Sequence, residues 1–176
     1  MKSKTISLSA ISAGFIAIAL IIGAYIEITD LFMVVVASVF VLLPLYLKSY
    51  KGSFLAFLAG GIIALLCSGF NLALIFPAYF TFFGIYPIVK HKLIEKNVKN
   101  SIGLIIGLIW FVAVAYACYF YYTIVLNGVF EGLPSWIEKY IVYAIGVIAI
   151  IFFFIYDRFL FVVKFVVDKY LRKIIK

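Results

Sequence analysis

Residues 6–26 read "ISLSAISAGFIAIALIIGAYI", an apolar run without a single charge. It is long enough to cross the hydrocarbon core of a bilayer, which takes about 20 mostly apolar residues. Wound on a helix, Ser9, Ala13 and Ala17 stand four apart on one stripe, with Ala10 and Gly14 alongside. Lipid tails are as apolar as leucine, so helices in a membrane associate through close contact of small side chains rather than by hiding from water. The stripe then serves either to pack the chain's own helices or to receive another membrane protein. The expectation taken forward is the second, with Ser9, Ala13 and Ala17 facing outward as a partner interface. The small residues lie at the start of a long apolar stretch rather than at its end, so the segment reads as a retained helix and not as a cleaved leader.

The rest of the chain repeats the pattern. Of its 176 residues 68% are hydrophobic and 12% charged, against about 25% charged in a soluble domain, and the mean hydropathy is +1.26. The fold class is an all-α membrane protein, one domain over 1–176. It is expected as a bundle of six transmembrane helices near 6–26, 31–47, 53–70, 72–89, 102–125 and 140–157, separated by short polar breaks such as "KSYKG" and "KHKLIEKNVKN". In the weakest break, "CSGFN", Gly69 and Asn71 supply the turn. Cys67 and Cys118 both sit inside apolar runs, so no disulfide framework is expected.

Charge orients the bundle. Lys2, Lys4, Lys48, Lys51, Lys90, Lys92, Lys96, Lys99 and the basic tail from Arg158 onward all fall on alternate breaks, whereas the remaining breaks carry Glu27, Asp30, Glu131 and Glu138 with only Lys139. The positive-inside rule then places both termini in the cytoplasm, as an even number of crossings requires. The net charge of +8 reads as topology and as attraction to anionic lipid, not as a sign of nucleic acid. In the tail, Lys164, Asp168, Arg172 and Lys176 recur every four residues among apolar ones, the pattern of an interfacial amphipathic extension.

Catalytic and metal-binding chemistry is missing from the pattern. The lone histidine, His91, stands between lysines and reads as a solvated loop residue. There is no G-x-S-x-G elbow and no H-E-x-x-H. The spans hold almost no ionisable groups, which argues against proton or ion coupling. Asp157 and Arg158 come nearest and read as an anchor at the end of the last span. The expectation is a protein that is not an enzyme, with no catalytic residue, metal or cofactor.

The outer end is richer in aromatic and weakly polar groups. Tyr116, Tyr119 and Thr123 share a face with Asn127 just beyond; Trp136, Tyr140 and Tyr143 share another; Asn71 opens the fourth span. These are either an aromatic belt at the interface or the walls of a pocket for a small uncharged or aromatic solute. The pocket is the expectation tested below.

Six short spans with both ends inside resemble the substrate-binding S component of an energy-coupling factor transporter. The resemblance implies capture of a vitamin-like solute from outside and docking on a transmembrane T component driven by ATPase subunits. It also implies a docking face of the type A-x-x-x-A on the first helix, matched here by Ala13 and Ala17 in "AGFIA". "FFGIYPIVK" (82–90) and "IYDRF" (155–159) also resemble a group of small S-component-like membrane proteins of Gram-positive bacteria. The leading expectation is therefore a solute-binding subunit of an ATP-driven uptake transporter in a bacterial cell membrane. A membrane scaffold or envelope assembly protein is the alternative.

Overall fold

The computed structural model describes residues 3–69, 75–96, 98–125 and 135–174. All the regular structure among them is helical. Helix α1 is Ser3–Tyr25, and α2 (Asp30–Val41) follows a short 3-10 turn. Then come α3 (Leu43–Tyr46), α4 (Tyr50–Cys67), α5 (Ile75–Ala78), a π-helical turn at Tyr79–Phe83, α6 (Tyr86–Glu95), α7 (Asn100–Val125) and α8 (Ser135–Ile174). Among the described residues four stretches are long and apolar enough to cross a membrane: α1, α4, Asn100–Tyr121 of α7 and Tyr140–Val167 of α8.

Prolines interrupt the other two expected spans. In 31–47, Pro44 has no N–H to continue the ladder, and the helix jogs between α2 and α3, with the Leu45 N–H bonded to the Leu42 carbonyl. The Val41 carbonyl is thereby released from its helical partner. The Ser53 hydroxyl of α4 donates to it. In 72–89, Pro87 opens α6, and the Gly84 N–H reaches back five residues to Tyr79 O at 2.9 Å, which makes the π turn. Such single-turn widenings are frequent at functional sites. After α3 the chain reverses through Lys48, at φ 54°, and α4 ends at Gly69, at φ 66°. Gly69 takes the left-handed backbone without strain, as its turn role requires.

The stripe on α1 does not face outward. Ser9, Ala13 and Ala17 are 8%, 6% and 4% exposed. They belong to a buried face with Ser12, Ile16, Leu20, Gly23 and Ala24, and α1 packs most extensively on α4 and α2. The physical reason is a second smooth stripe. Ala56, Gly60 and Ala64 of α4 are buried too, and the two stripes meet. A Cβ on Gly60 would stand 2.7 Å from Ile16 Cβ and 2.9 Å from the Ala13 carbonyl oxygen. One on Gly52 would stand 2.6 Å from Ser9 Oγ. The docking face expected on Ser9, Ala13 and Ala17 is thus corrected to an internal seam. Other large residues of α1 point the other way, with Ile11, Phe15 and Ile18 exposed, as an apolar solvent permits.

The second half is aromatic. Phe82, Phe83, Tyr86, Phe111, Phe153 and Tyr156 are all buried. Phe82 lies at its centre, its ring 4.8 Å from both Tyr86 and Phe111. Gly107 of α7 makes room for this block: a Cβ there would lie 2.6 Å from the Tyr86 ring and 2.9 Å from Phe153. Helix α8 is 40 residues long and runs unbroken through Asp157, about 60 Å in all at 1.5 Å per residue. Its sequence has neither glycine nor proline after Gly146, so nothing ends the helix where the last span was expected to stop.

Candidate functional site: a buried ion pair at the basic end

Asp157 stands on α8 one turn after Phe153, and only 7% of it is exposed. A carboxylate in such surroundings needs a cation and hydrogen bonds, because burying an unpaired charge costs far more than the fold can supply. Helix α6 provides both. Tyr86 and Lys90 are one turn apart and so share a face. Tyr86 Oη donates to Asp157 Oδ1 at 2.6 Å. Lys90 Nζ donates to the same oxygen at 2.5 Å and to the Asp157 carbonyl at 3.1 Å. It is the only salt bridge among the described residues. Burial pulls the Lys90 ammonium below its ordinary range, the Asp157 carboxylate pulls it back up, and the positive charges of Lys164 and Arg158 press it down again.

A second polar link lies beside the first. Tyr50, at the start of α4, has its Oη 2.9 Å from His91 Nδ1 and donates to Glu95 Oε2 at 2.5 Å. His91 is therefore not a solvated loop residue: it lies on α6, half-buried, with its ring 5.7 Å from that of Tyr50. The two links tie α6 to α8 on one side and to α4 on the other. Shallow clefts flank Lys90. One is floored by Leu42, Pro87 and Leu160, with Lys164 at its edge. The other lies towards Lys99 and Gly103.

The residues expected at the outer end are placed as follows. Asn71 and Asn127 lie outside the described residues, as does the side chain of Trp136, whose backbone is in α8. Tyr116 donates to the Val142 carbonyl of α8 at 3.1 Å, next to Gly146. Thr123 bonds back to carbonyls of its own helix, Tyr119 and Phe120. Tyr140 and Tyr143 are 59% and 71% exposed. Tyr119 packs edge-on against Phe120. Tyr116 is thus held across the α7–α8 contact by a hydrogen bond.

Sequence reasoning treated Asp157 as a helix-end anchor and Lys90 as a topology marker. The available signal was a lone acid inside an apolar run, matched by Tyr86 and Lys90 at helical spacing in "YPIVK". Chemically, the cluster can hold charge and clamp helices. Among the described residues no group of three His, Cys, Asp or Glu could hold a metal ion. No known family, no curated protein and no solved structure matches the chain.

Proposed function

We propose that the chain is a non-catalytic platform of the bacterial cell membrane, a scaffold or assembly protein of six crossings with both termini cytoplasmic and the end of α8 along the inner interface. The observation that carries this reading is the aromatic block of Phe82, Phe83, Phe111, Phe153 and Tyr156, closed at its basic end by Lys90 and Asp157. A closely packed aromatic block with a clamped end suits a protein that holds its shape for others. The two polar links support the topology, because they bring together the breaks after the second and fourth spans and the basic side of α8. The test is to isolate the chain from native membranes in mild detergent. A stoichiometric membrane partner without ATPase subunits, misassembled when the chain is deleted, is the expected result. Co-purifying ATPases together with loss of uptake of one solute would replace this reading.

A second reading, the solute-binding transporter subunit, is favoured by one observation. Ser7, Ala10 and Gly14 of α1 are exposed, and a Cβ on Gly14 would meet no atom within 4 Å. This small face, about one residue's rotation from the buried stripe, suits close approach by a T component. Gly14→Leu should then stop uptake of an uncharged or aromatic solute while leaving the fold intact. Uptake unchanged in that variant removes the docking face.

A further inference from the structure

We infer that the cleft between α6 and α8 beside Lys90 binds the phosphate of an anionic phospholipid, with Lys90 and Lys164 as the cationic contacts and Leu42, Pro87, Leu160 and Phe161 as the apolar wall. The cleft has the two chemistries such a lipid needs. Its floor is apolar and buried, with Leu42 and Leu160 5% and 3% exposed. Its edge is cationic and opens to the surface past Phe161, which is 58% exposed.

The charges at the cleft do not balance. Lys164 and Arg158 both bring positive charge to bear on Lys90, whereas the acid paired with Lys90 is Asp157. An ammonium has three donors. Lys90 gives two to Asp157, and no third bond is made among the described residues. Lys164 is half-buried and has no ion-pair partner among the described residues. An anion approaching from the surface therefore meets unused donors on Lys90 and Lys164. Asp157, which would repel it, is screened by Tyr86 and Lys90, and Glu95 is held by the Tyr50 hydroxyl.

Position selects the source of the phosphate. Lys164 stands in the last turn of the apolar stretch Tyr140–Val167, where a lysine extends its head to the interface and lays its stem on apolar surface. Asp157 lies seven residues deeper, about 10 Å by the helical rise. A lipid headgroup at that interface reaches Lys164 first and Lys90 next, with its acyl chain along the exposed apolar side of α8.

The test is native mass spectrometry of the purified chain in detergent, offered phosphatidylglycerol and phosphatidylcholine at equal mole fraction, with inorganic phosphate as a separate arm. The wild type should retain one phosphatidylglycerol in preference to phosphatidylcholine. Lys164→Ala should lower that retention about tenfold or more, as loss of a charge-assisted contact does. Lys164→Arg should keep it. Lys96→Ala, at an exposed lysine of the same basic loop, should lower it by no more than about fivefold, the effect of a general surface charge. Equal losses in Lys96→Ala and Lys164→Ala would reduce the site to diffuse attraction and overturn it. So would equal retention of phosphatidylcholine. Inorganic phosphate binding alone, with no lipid retained, would overturn it in favour of a soluble anion. If Lys164→Ala fails to fold, a bulkier residue at Ile94, which also lines the cleft, serves instead: Ile94→Trp fills the cleft without removing a charge, and undiminished lipid retention in that variant also refutes the assignment.

Discussion

At the scale of the residue, Asp157 and Lys90 set the terms. Each is held in a mostly apolar setting because the other is there. Removing one partner leaves the survivor's charge unmatched, whereas removing both leaves a surface that apolar groups can fill. Asp157→Leu should therefore lower stability by about 3 kcal/mol, and Lys90→Met by a similar amount. The double replacement Lys90→Met with Asp157→Leu should recover most of the loss. Melting temperatures of the four proteins in one detergent give the coupling directly. Additive losses would mean that the pair is not a unit. Lys48 is a separate case. It adopts a left-handed backbone at φ 54°, which costs an L side chain about 1–2 kcal/mol. Lys48→Gly should then stabilise the turn between α3 and α4 by about 1 kcal/mol, read as a rise in melting temperature; a fall would mean that the lysine side chain contributes more than the strain.

At the scale of the element, helix faces were only partly legible in the sequence. The apolar runs announced the helices, but each run is apolar on every side, so periodicity of hydrophobicity could not choose its inner face. The size of the side chains chooses it instead. Ser9, Ala13 and Ala17 met Ala56, Gly60 and Ala64, and both stripes were visible in the sequence. What was not visible was that the two lie opposite each other, since nothing local specifies which helices become neighbours. The prolines at 44 and 87 were equally visible, yet where the freed carbonyl of Val41 goes depends on Ser53 twelve residues away. Two glycines, one in the seam and one outside it, test this account. Gly60→Ala introduces a methyl against the Ala13 carbonyl and Ile16. It should cost about 1–3 kcal/mol as overpacking, despite alanine's better helix propensity. Gly14→Ala meets no atom within 4 Å and should be neutral or stabilise by up to about 1 kcal/mol. Thermal unfolding in detergent separates the two, and a tolerant Gly60 would mean that α1 and α4 do not pack as described.

At the scale of the whole molecule, two halves of different character are joined at one end. The first half is a seam of small residues between α1 and α4, and the second is an aromatic block among α6, α7 and α8. Tyr50 links α4 to His91 and Glu95, and Lys90 links α6 to Asp157, so α6 is the element common to both. That arrangement has a consequence for orientation. Lys51, Lys92, Lys96 and Lys164 belong to this end, and in the proposed topology it would face the cytoplasm. The sequence break between α7 and α8, which holds Glu131, would then be on the outer side. Replacing Cys67 and Cys118 by alanine removes the chain's own thiols, and single cysteines can then be placed at Lys96 and at Glu131. In intact cells, a thiol reagent that cannot cross the membrane should label the Glu131→Cys protein and spare the Lys96→Cys protein until the cells are opened. Labelling of both in intact cells, or of Lys96→Cys alone, would contradict the orientation. It would also remove the inner-leaflet setting in which Lys164 is expected to meet an anionic headgroup.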